Sequence, residues 1–230
     1  MMTARCSIAV FARAPIPGQA KTRLIPHLGA ERAARLQAIL TEHALCTALE
    51  AGTGPVSLWC SPDCAHPHFE ALAQKFRIPL VPQHGEDLGA RMLAAFDQLC
   101  RDGNALLIGT DCPALTSQAL CEASQGLAEH HASFVPAEDG GYVAVGLRRA
   151  LPDVFRDIEW GSGRVMAQTR DRLRAANLRW HECPALWDVD RAEDFERLRA
   201  SGVLPQIAMI DVSVAMSSWA TTMGGNTASR

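Results

Sequence analysis

Two cations in a Gly- and Pro-shaped loop and a small set of carboxylates are the side chains of this sequence whose types and spacing can do chemistry. The segment Ala14-Pro15-Ile16-Pro17-Gly18-Gln19-Ala20-Lys21-Thr22-Arg23-Leu24 presents an ammonium and a guanidinium from a Gly- and Pro-shaped loop. It follows directly on the apolar run Ser7 to Ala12, and open α/β sheets hold ligands outside the carboxyl ends of their strands. Phosphate is the natural ligand for cations placed there. The loop is not a Walker loop, because no glycine stands four residues before Gly18. The plain alternative is a solvated basic loop.

Asp111 is the second landmark, in Gly109-Thr110-Asp111-Cys112-Pro113, at the end of the most apolar strand candidate, Asn104 to Ile108. A hard oxygen ligand in that position suits magnesium or manganese bound through nucleotide phosphates. One carboxylate does not hold such an ion. Trp187-Asp188-Val189-Asp190 offers two more, which complete a site if the segment folds back beside Asp111. The alternative is that Asp190 only caps a helix from Arg191 to Ala200 and Asp188 faces solvent.

Three further segments are less decided. Glu86-Asp87-Leu88-Gly89-Ala90-Arg91-Met92 starts a helix with carboxylates at its positive end, and Gly89 either admits a ligand to the backbone or serves packing. Asp139-Gly140-Gly141-Tyr142 reads as a hairpin turn or as a loop on the acceptor side of a site. Trp160-Gly161-Ser162-Gly163-Arg164 reads as a helix cap with an exposed anchor or as a substrate loop. Cys60, Cys64, His66 and His68 have zinc-ligand chemistry, but all four fall in one short loop with Pro62 and Pro67. An ordinary strand-to-helix loop is expected there.

The elements that must position these residues follow from periodicity. Strand-length apolar runs alternate with segments of helical period almost throughout, the pattern of an α/β domain with a mainly parallel sheet flanked by helices. Strands are expected at Ser7 to Ala12, Val56 to Cys60, Ile78 to Val81, Asn104 to Ile108, Ser133 to Pro136 and Tyr142 to Val145. Helices are expected from Ala30, near Phe69 to Lys75, from Asp87, from Thr116 or Ser117 to about His130, and from a Ser162 cap. The fold is expected to close near Trp187. Residues 1–205 are read as one domain and residues 206–230 as a partly disordered extension. That extension holds two charged residues, an alternation over Ile210, Val212, Val214 and Met216, and a frayed end from Thr221 to Arg230.

Composition sets the outer limits. A 230-residue chain that is 48% hydrophobic and 20% charged carries one large core and is neither disordered nor fibrous. The 22 basic and 25 acidic residues give a formal charge of −3, which excludes a protein built to neutralise nucleic-acid phosphates. No apolar run approaches the roughly 20 residues that span a bilayer, and the N-terminus does not read as a secretory signal. Eight cysteines in such a chain read as reduced thiols, and a cytoplasmic location is expected.

In this order, the segments resemble the GT-A nucleotide-diphospho-sugar transferase superfamily, in particular its branch of radical-SAM/selenodomain-associated transferases or GT-A glycosyltransferases. The resemblance covers about Cys6 to Ala200. It rests on Phe11-Ala12-Arg13 with Pro17-Gly18 and Lys21-Thr22-Arg23-Leu24, Asp87-Leu88-Gly89 with Arg91-Met92, and Ile108-Gly109-Thr110-Asp111-Cys112-Pro113. It rests also on Asp139-Gly140-Gly141-Tyr142 with Gly146-Leu147, and on Trp187-Asp188-Val189-Asp190. Lys21 to Leu24 is similar to the basic segment of phospholactate guanylyltransferases.

The resemblance implies a Rossmann-like fold and a transferase taking a nucleotide donor and a small-molecule acceptor, with Mg2+ or Mn2+ as cofactor. It puts Ala12, Arg13, Gly18, Lys21, Arg23, Asp87, Gly89 and Arg91 on the nucleotide. Asp139, Gly140, Gly141 and Tyr142 fall to the acceptor, and Asp111, Asp188 and Asp190 to the metal. Lys21, Arg23 and Asp111 are the implied catalytic set. Nucleotidyl transfer is slightly favoured, because charge on the acceptor, the moving phosphoryl group and the departing pyrophosphate can be shared by a Lys, an Arg and a metal. Two departures stand beside it: Ala14-Pro15-Ile16-Pro17 replaces the usual glycine-rich loop, and a lone Asp111 replaces Asp-x-Asp. Glycosyl transfer from a nucleoside-diphosphate sugar and a non-catalytic nucleotide-binding domain are the alternatives.

Overall fold

Continuous apolar runs need burial on both faces, and the computed structural model, which describes residues 5–210, gives them that in one seven-stranded sheet. Its strands are β1 (Cys6–Arg13), β2 (Val56–Ser61), β3 (Leu80–Pro82), β4 (Asn104–Ile108), β5 (Ala132–Pro136), β6 (Tyr142–Leu147) and β7 (Trp180–Glu182). They lie in the order β3-β2-β1-β4-β6-β5-β7. Only β6 is antiparallel to its neighbours, so the sheet is mainly parallel as the pattern predicts. The helices are α1 (Ile25–Leu28), α2 (Ala30–Ala51), α3 (Pro67–Phe76), α4 (Leu88–Leu99), α5 (Ser117–Gly126), α6 (Pro152–Phe155), α7 (Val165–Ala175) and α8 (Ala192–Ser201).

Side-chain alternation along the central strands divides the core into two layers. Ile8, Val10, Leu106 and Ile108 face α2, α3 and α5, while Ala9, Phe11, Ala105 and Leu107 face α4, α6 and α7. All eight are buried. Helix starts are set by side chains: the Ala90 N–H donates to Asp87 Oδ1 (2.7 Å) and the Ala119 N–H to Thr116 Oγ1 (3.2 Å). From β1 the chain moves outward to β2 and β3, then returns through α4 to β4 on the other side of β1. The connections after β1 and β4 therefore diverge, opening a crevice at their carboxyl ends.

Several expectations need correction. The fold does not close at Trp187, because a third core cluster joins Leu24, Leu36 and Leu40 to Val189, Phe195, Leu198, Leu204, Ile207 and Ile210. That packing includes Ile207 and Ile210, and Pro205–Ile210 is a 3-10 turn. Val212, Val214, Met216 and the stretch Thr221 to Arg230 lie outside the described residues. β7 and α6 had no periodic signal, since Trp180-His181-Glu182 are each half-buried at a sheet edge. α5 ends at Gly126, short of His130, and α7 begins at Val165 with Ser162 accepting from the Arg164 N–H (3.3 Å) instead of capping the helix itself. Among the described residues no helix is long and apolar enough to cross a membrane.

Phe195, 2% exposed, is the largest side chain that α8 adds to the third cluster. Phe195→Ala should cost about 3 kcal/mol or more in urea unfolding. A loss under 1 kcal/mol would mean that residues beyond Trp187 are not part of the cooperative core.

Candidate functional site

The crevice is a cleft of about 580 Å³. Lys21 enters it from the β1 loop in a left-handed conformation (φ 49, ψ 44), and its side chain is only 4% exposed. Its Nζ stands 2.6 Å from Asp111 Oδ1 and donates to the Val189 carbonyl, also at 2.6 Å. The Val189 N–H in turn donates to the Asp111 carbonyl (2.8 Å). One buried ammonium thus ties the loop after β1, the loop after β4 and the segment before α8 into a single unit. The Trp187 to Asp190 segment does fold back beside Asp111.

Asp111 is held from behind. Thr110 Oγ1 donates to Asp111 Oδ1 (3.3 Å) and accepts from Gln37 Nε2 (3.0 Å), a buried amide on the sheet-facing side of α2. Gln37 belongs to no motif, and Thr110 and Val189 were quoted only as neighbours of the carboxylates, yet all three orient the charged pair. Gln37 left one signal: an amide inside the apolar stripe Leu36, Ile39, Leu40 needs a buried partner.

Four carboxylates and four cations line the cleft, and among the described residues Lys21 pairs with Asp111 and Arg23 with Asp190, which leaves Asp139 and Asp188 without an ion pair. Asp188 is half-buried, and its carboxyl is pushed up to about 6 by burial, then by the negative charges of Asp139 and Asp111, with Lys21 opposing. Asp190 is not a helix cap. Its carboxylate pairs with Arg23 at the cleft mouth, and Asp194 Oδ2 caps α8 by accepting from the Asp190 and Arg191 N–H groups (3.1 and 2.8 Å). Asp139 lines the cleft, and its Oδ1 accepts from the Gly141 N–H (2.8 Å), a turn held by its own side chain.

Of the other residues singled out by sequence, Ala12, Arg13, Arg91, Gly141 and Tyr142 also line the cleft. Gly18, Asp87, Gly89 and Gly140 do not. Gly18 serves the loop with φ +81, and Asp87 caps α4. Gly89 lies against Trp160, where a Cβ would come within 2.7 Å of the indole, so packing and not ligand approach explains it. Gly140 has φ +92 and faces Gly163, whose carbonyl would collide with any side chain, while its own carbonyl accepts from the Met166 N–H (2.8 Å). Tyr142 offers the cleft its ring alone: its hydroxyl is buried, and the ring packs on Phe134 and edge-on to Trp160. Trp160 is therefore a packing anchor behind the Asp139 to Tyr142 turn.

The Cys60 to His68 loop does not gather zinc ligands. His66 Nδ1 accepts from the His68 N–H (3.2 Å) at the start of α3, and Cys60 is fully buried in the core. Among the described residues these four side chains form no ligand group.

Residues 44–162, just over half of the chain, match the family model described as "Uncharacterized protein conserved in bacteria (DUF2064)". The chain belongs to that family, DUF2064. No curated protein matches the sequence. This DUF2064 chain is similar, at 27% identity and a TM-score of 0.77, to a crystal structure from Desulfovibrio desulfuricans G20 provisionally assigned as a nucleotide-diphospho-sugar transferase. That likeness covers 91% of this chain and 100% of the other. A nucleotidyl transferase from Methanothermobacter thermautotrophicus is similar at 17% identity and a TM-score of 0.57, over 85% of this chain and 97% of that one. A 4-diphosphocytidyl-2C-methyl-D-erythritol synthase from Anaerococcus prevotii DSM 20548 shares the fold at 10% identity and a TM-score of 0.59, over 85% and 96%. The DUF2064 chain thus has the GT-A-like fold of the nucleotide-sugar transferase and nucleotidyltransferase superfamily and stands among its transferases.

Because Asp188 in this DUF2064 chain titrates above its unfolded value of 3.8, the folded state keeps a proton that the unfolded chain has lost between pH 4 and 6. Its contribution therefore lowers stability as pH rises through that window, and the lowered level persists above it. Asp188→Asn should gain about 1 kcal/mol on wild type between pH 4 and pH 7 without divalent ions, the full shift being reduced by solvent screening. Urea unfolding at both pH values measures this, and a wild-type-to-variant difference that does not change with pH would remove the assignment.

Proposed function

We propose that the cleft binds a nucleoside triphosphate with a divalent ion and transfers its nucleotidyl group to a small anionic acceptor, releasing pyrophosphate. The observation that carries this reading is the meeting of Lys21 with Asp111 and Asp188 at the switch point of the sheet, where superfamily folds hold nucleotides. Arg13, Arg23 and Arg91 line the same cleft and supply charge for a polyphosphate. Phe11, Leu88 and Met92 give it an apolar wall suited to a base.

Asp111 and Asp188 are the residues that would hold Mg2+ or Mn2+. They fit such an ion because they offer hard oxygens only, and because the carboxylates raise Asp188 by mutual repulsion that a divalent cation would relieve. The ion would supply charge neutralisation on the phosphates. In the reaction, an acceptor oxygen forms a bond to the α-phosphorus while the bond to the pyrophosphate oxygen breaks. Arg23 is placed at the mouth to neutralise departing phosphate, and exchanges Asp190 for it. Lys21 keeps the phosphate-side loop and the Asp111 loop in register while charge shifts between them. Asp139 and Gly141 line the same cleft from the turn before β6, where the acceptor would approach.

A second reading has one observation in its favour. The Desulfovibrio structure, at 27% identity, bears a nucleotide-diphospho-sugar transferase assignment, which supports glycosyl transfer in the same cleft. A thermal-shift panel of triphosphates and nucleoside-diphosphate sugars, each with and without Mg2+ or Mn2+, separates the two. A ligand at 100 times its Kd adds about 2.7 kcal/mol, a clear shift. A metal-dependent shift with one triphosphate is expected; a shift confined to a nucleotide sugar would replace this reading by the second. Once the triphosphate is known, Asp111→Asn should lower pyrophosphate release at least about 100-fold, and undiminished release would sink the assignment of Asp111.

A further inference from the structure

A second cluster of ligand-type side chains lies outside the cleft, between α5 and the edge strand β7. Among the described residues β7 pairs with β5 alone, with Ser133 opposite His181. Its outer neighbours Trp180 and Glu182 are engaged: Trp180 Nε1 donates to Glu182 Oε1 (2.6 Å) and Arg170 forks onto both oxygens of that carboxylate (2.9 and 2.7 Å). His181 has no such partner. Its Nε2 is buried and makes no hydrogen bond among the described residues, and Glu122 Oε1 stands at 3.7 Å, beyond hydrogen-bond range.

Cys183 follows, 5% exposed, and one ligand atom from each of Glu122, His181 and Cys183 lies within 4.8 Å of the other two. The imidazole reaches this place because residue 126 is glycine: a Cβ there would come within 2.6 Å of His181 Cδ2. A buried ring nitrogen left without a partner is costly, which points to an occupant. The donor set is one thiol, one imidazole and one carboxylate, the mixture that suits zinc better than a hard cation. Atoms bound to a tetrahedral zinc at 2.0–2.3 Å stand about 3.3–3.8 Å apart, so the exposed Glu122 side chain has only a short way to close.

We propose that Glu122, His181 and Cys183 bind one Zn2+, independently of the nucleotide cleft, with water in the fourth position. The Cys183 thiol gives its proton to solvent as its sulfur bonds the ion, so Zn2+ with one thiolate and one carboxylate is neutral, and nothing is oxidised or reduced. The ion would pin the three-residue edge strand to α5 and fix the start of the segment that runs on to Asp188.

The full-length protein, stripped with chelator, reloaded with Zn2+ and desalted, tests this by its metal content. About one zinc per chain is expected in wild type and in Cys64→Ser, with none in Cys183→Ser or His181→Ala. Glu122→Gln alters an exposed side chain and avoids a folding failure, and it should weaken zinc binding at least 10-fold. Cobalt loading should give thiolate charge-transfer absorption that Cys183→Ser lacks. Less than a tenth of an equivalent in wild type, or binding unchanged in both Cys183→Ser and Glu122→Gln, would overturn the proposal. So would an equivalent lost in Asp111→Asn but kept in Cys183→Ser, which would put the ion in the cleft.

Discussion

A lysine buried at the junction of three loops fixes the rest of the site, because an ammonium removed from water has to be answered by acceptors at every approach. Lys21 finds them in Asp111 and in the Val189 carbonyl, and it accepts a left-handed backbone, about 1–2 kcal/mol uphill for a side-chain-bearing residue, to reach them. Three segments that are far apart in the chain thereby become one rigid floor. Thr110 and Gln37 extend the constraint into α2, so the position of the Asp111 carboxylate is set by the core as well as by its own loop.

Around that floor the charges do not balance locally. Asp188, Asp139 and Asp111 face one cleft with one buried ammonium among them, while Arg23 answers Asp190 at the mouth. Burial and repulsion hold Asp188 partly in its acid form near neutral pH. Such an arrangement would be completed, under the proposed function, by a ligand that brings positive charge to the carboxylates and negative charge to the arginines. A metal-bound polyphosphate does both, which is why the electrostatics and the topology of the switch point lead to the same proposal.

The two clusters with ligand chemistry contrast in an instructive way. Cys60, Cys64, His66 and His68 are close in sequence but do not converge on one point: Cys60 lies in the core beside Cys64, and His66 serves a helix start. Glu122, His181 and Cys183 are distant in sequence and meet because β7 docks beside α5. Proximity along the chain was the weaker guide, since ligand geometry depends on which face of an element each side chain occupies.

Periodicity and capping residues determined the α/β class, the strand runs of β1, β2 and β4, and helix starts at Asp87 and at Thr116 or Ser117, because burial on two faces and capping leave local signatures in residue type. Charged residue types at strand ends, together with the family resemblance, marked Lys21, Arg23, Asp111, Asp139, Asp188 and Asp190 as site candidates. Only the tertiary structure decided which of them touch. It gave Asp190 to Arg23 and not to a cap, turned the Tyr142 hydroxyl inward, assigned Gly89 and Gly140 to packing against Trp160 and Gly163, and added β7 and the third core cluster. These are long-range contacts, fixed by how layers stack and not by any local preference, so no window of the sequence contains them.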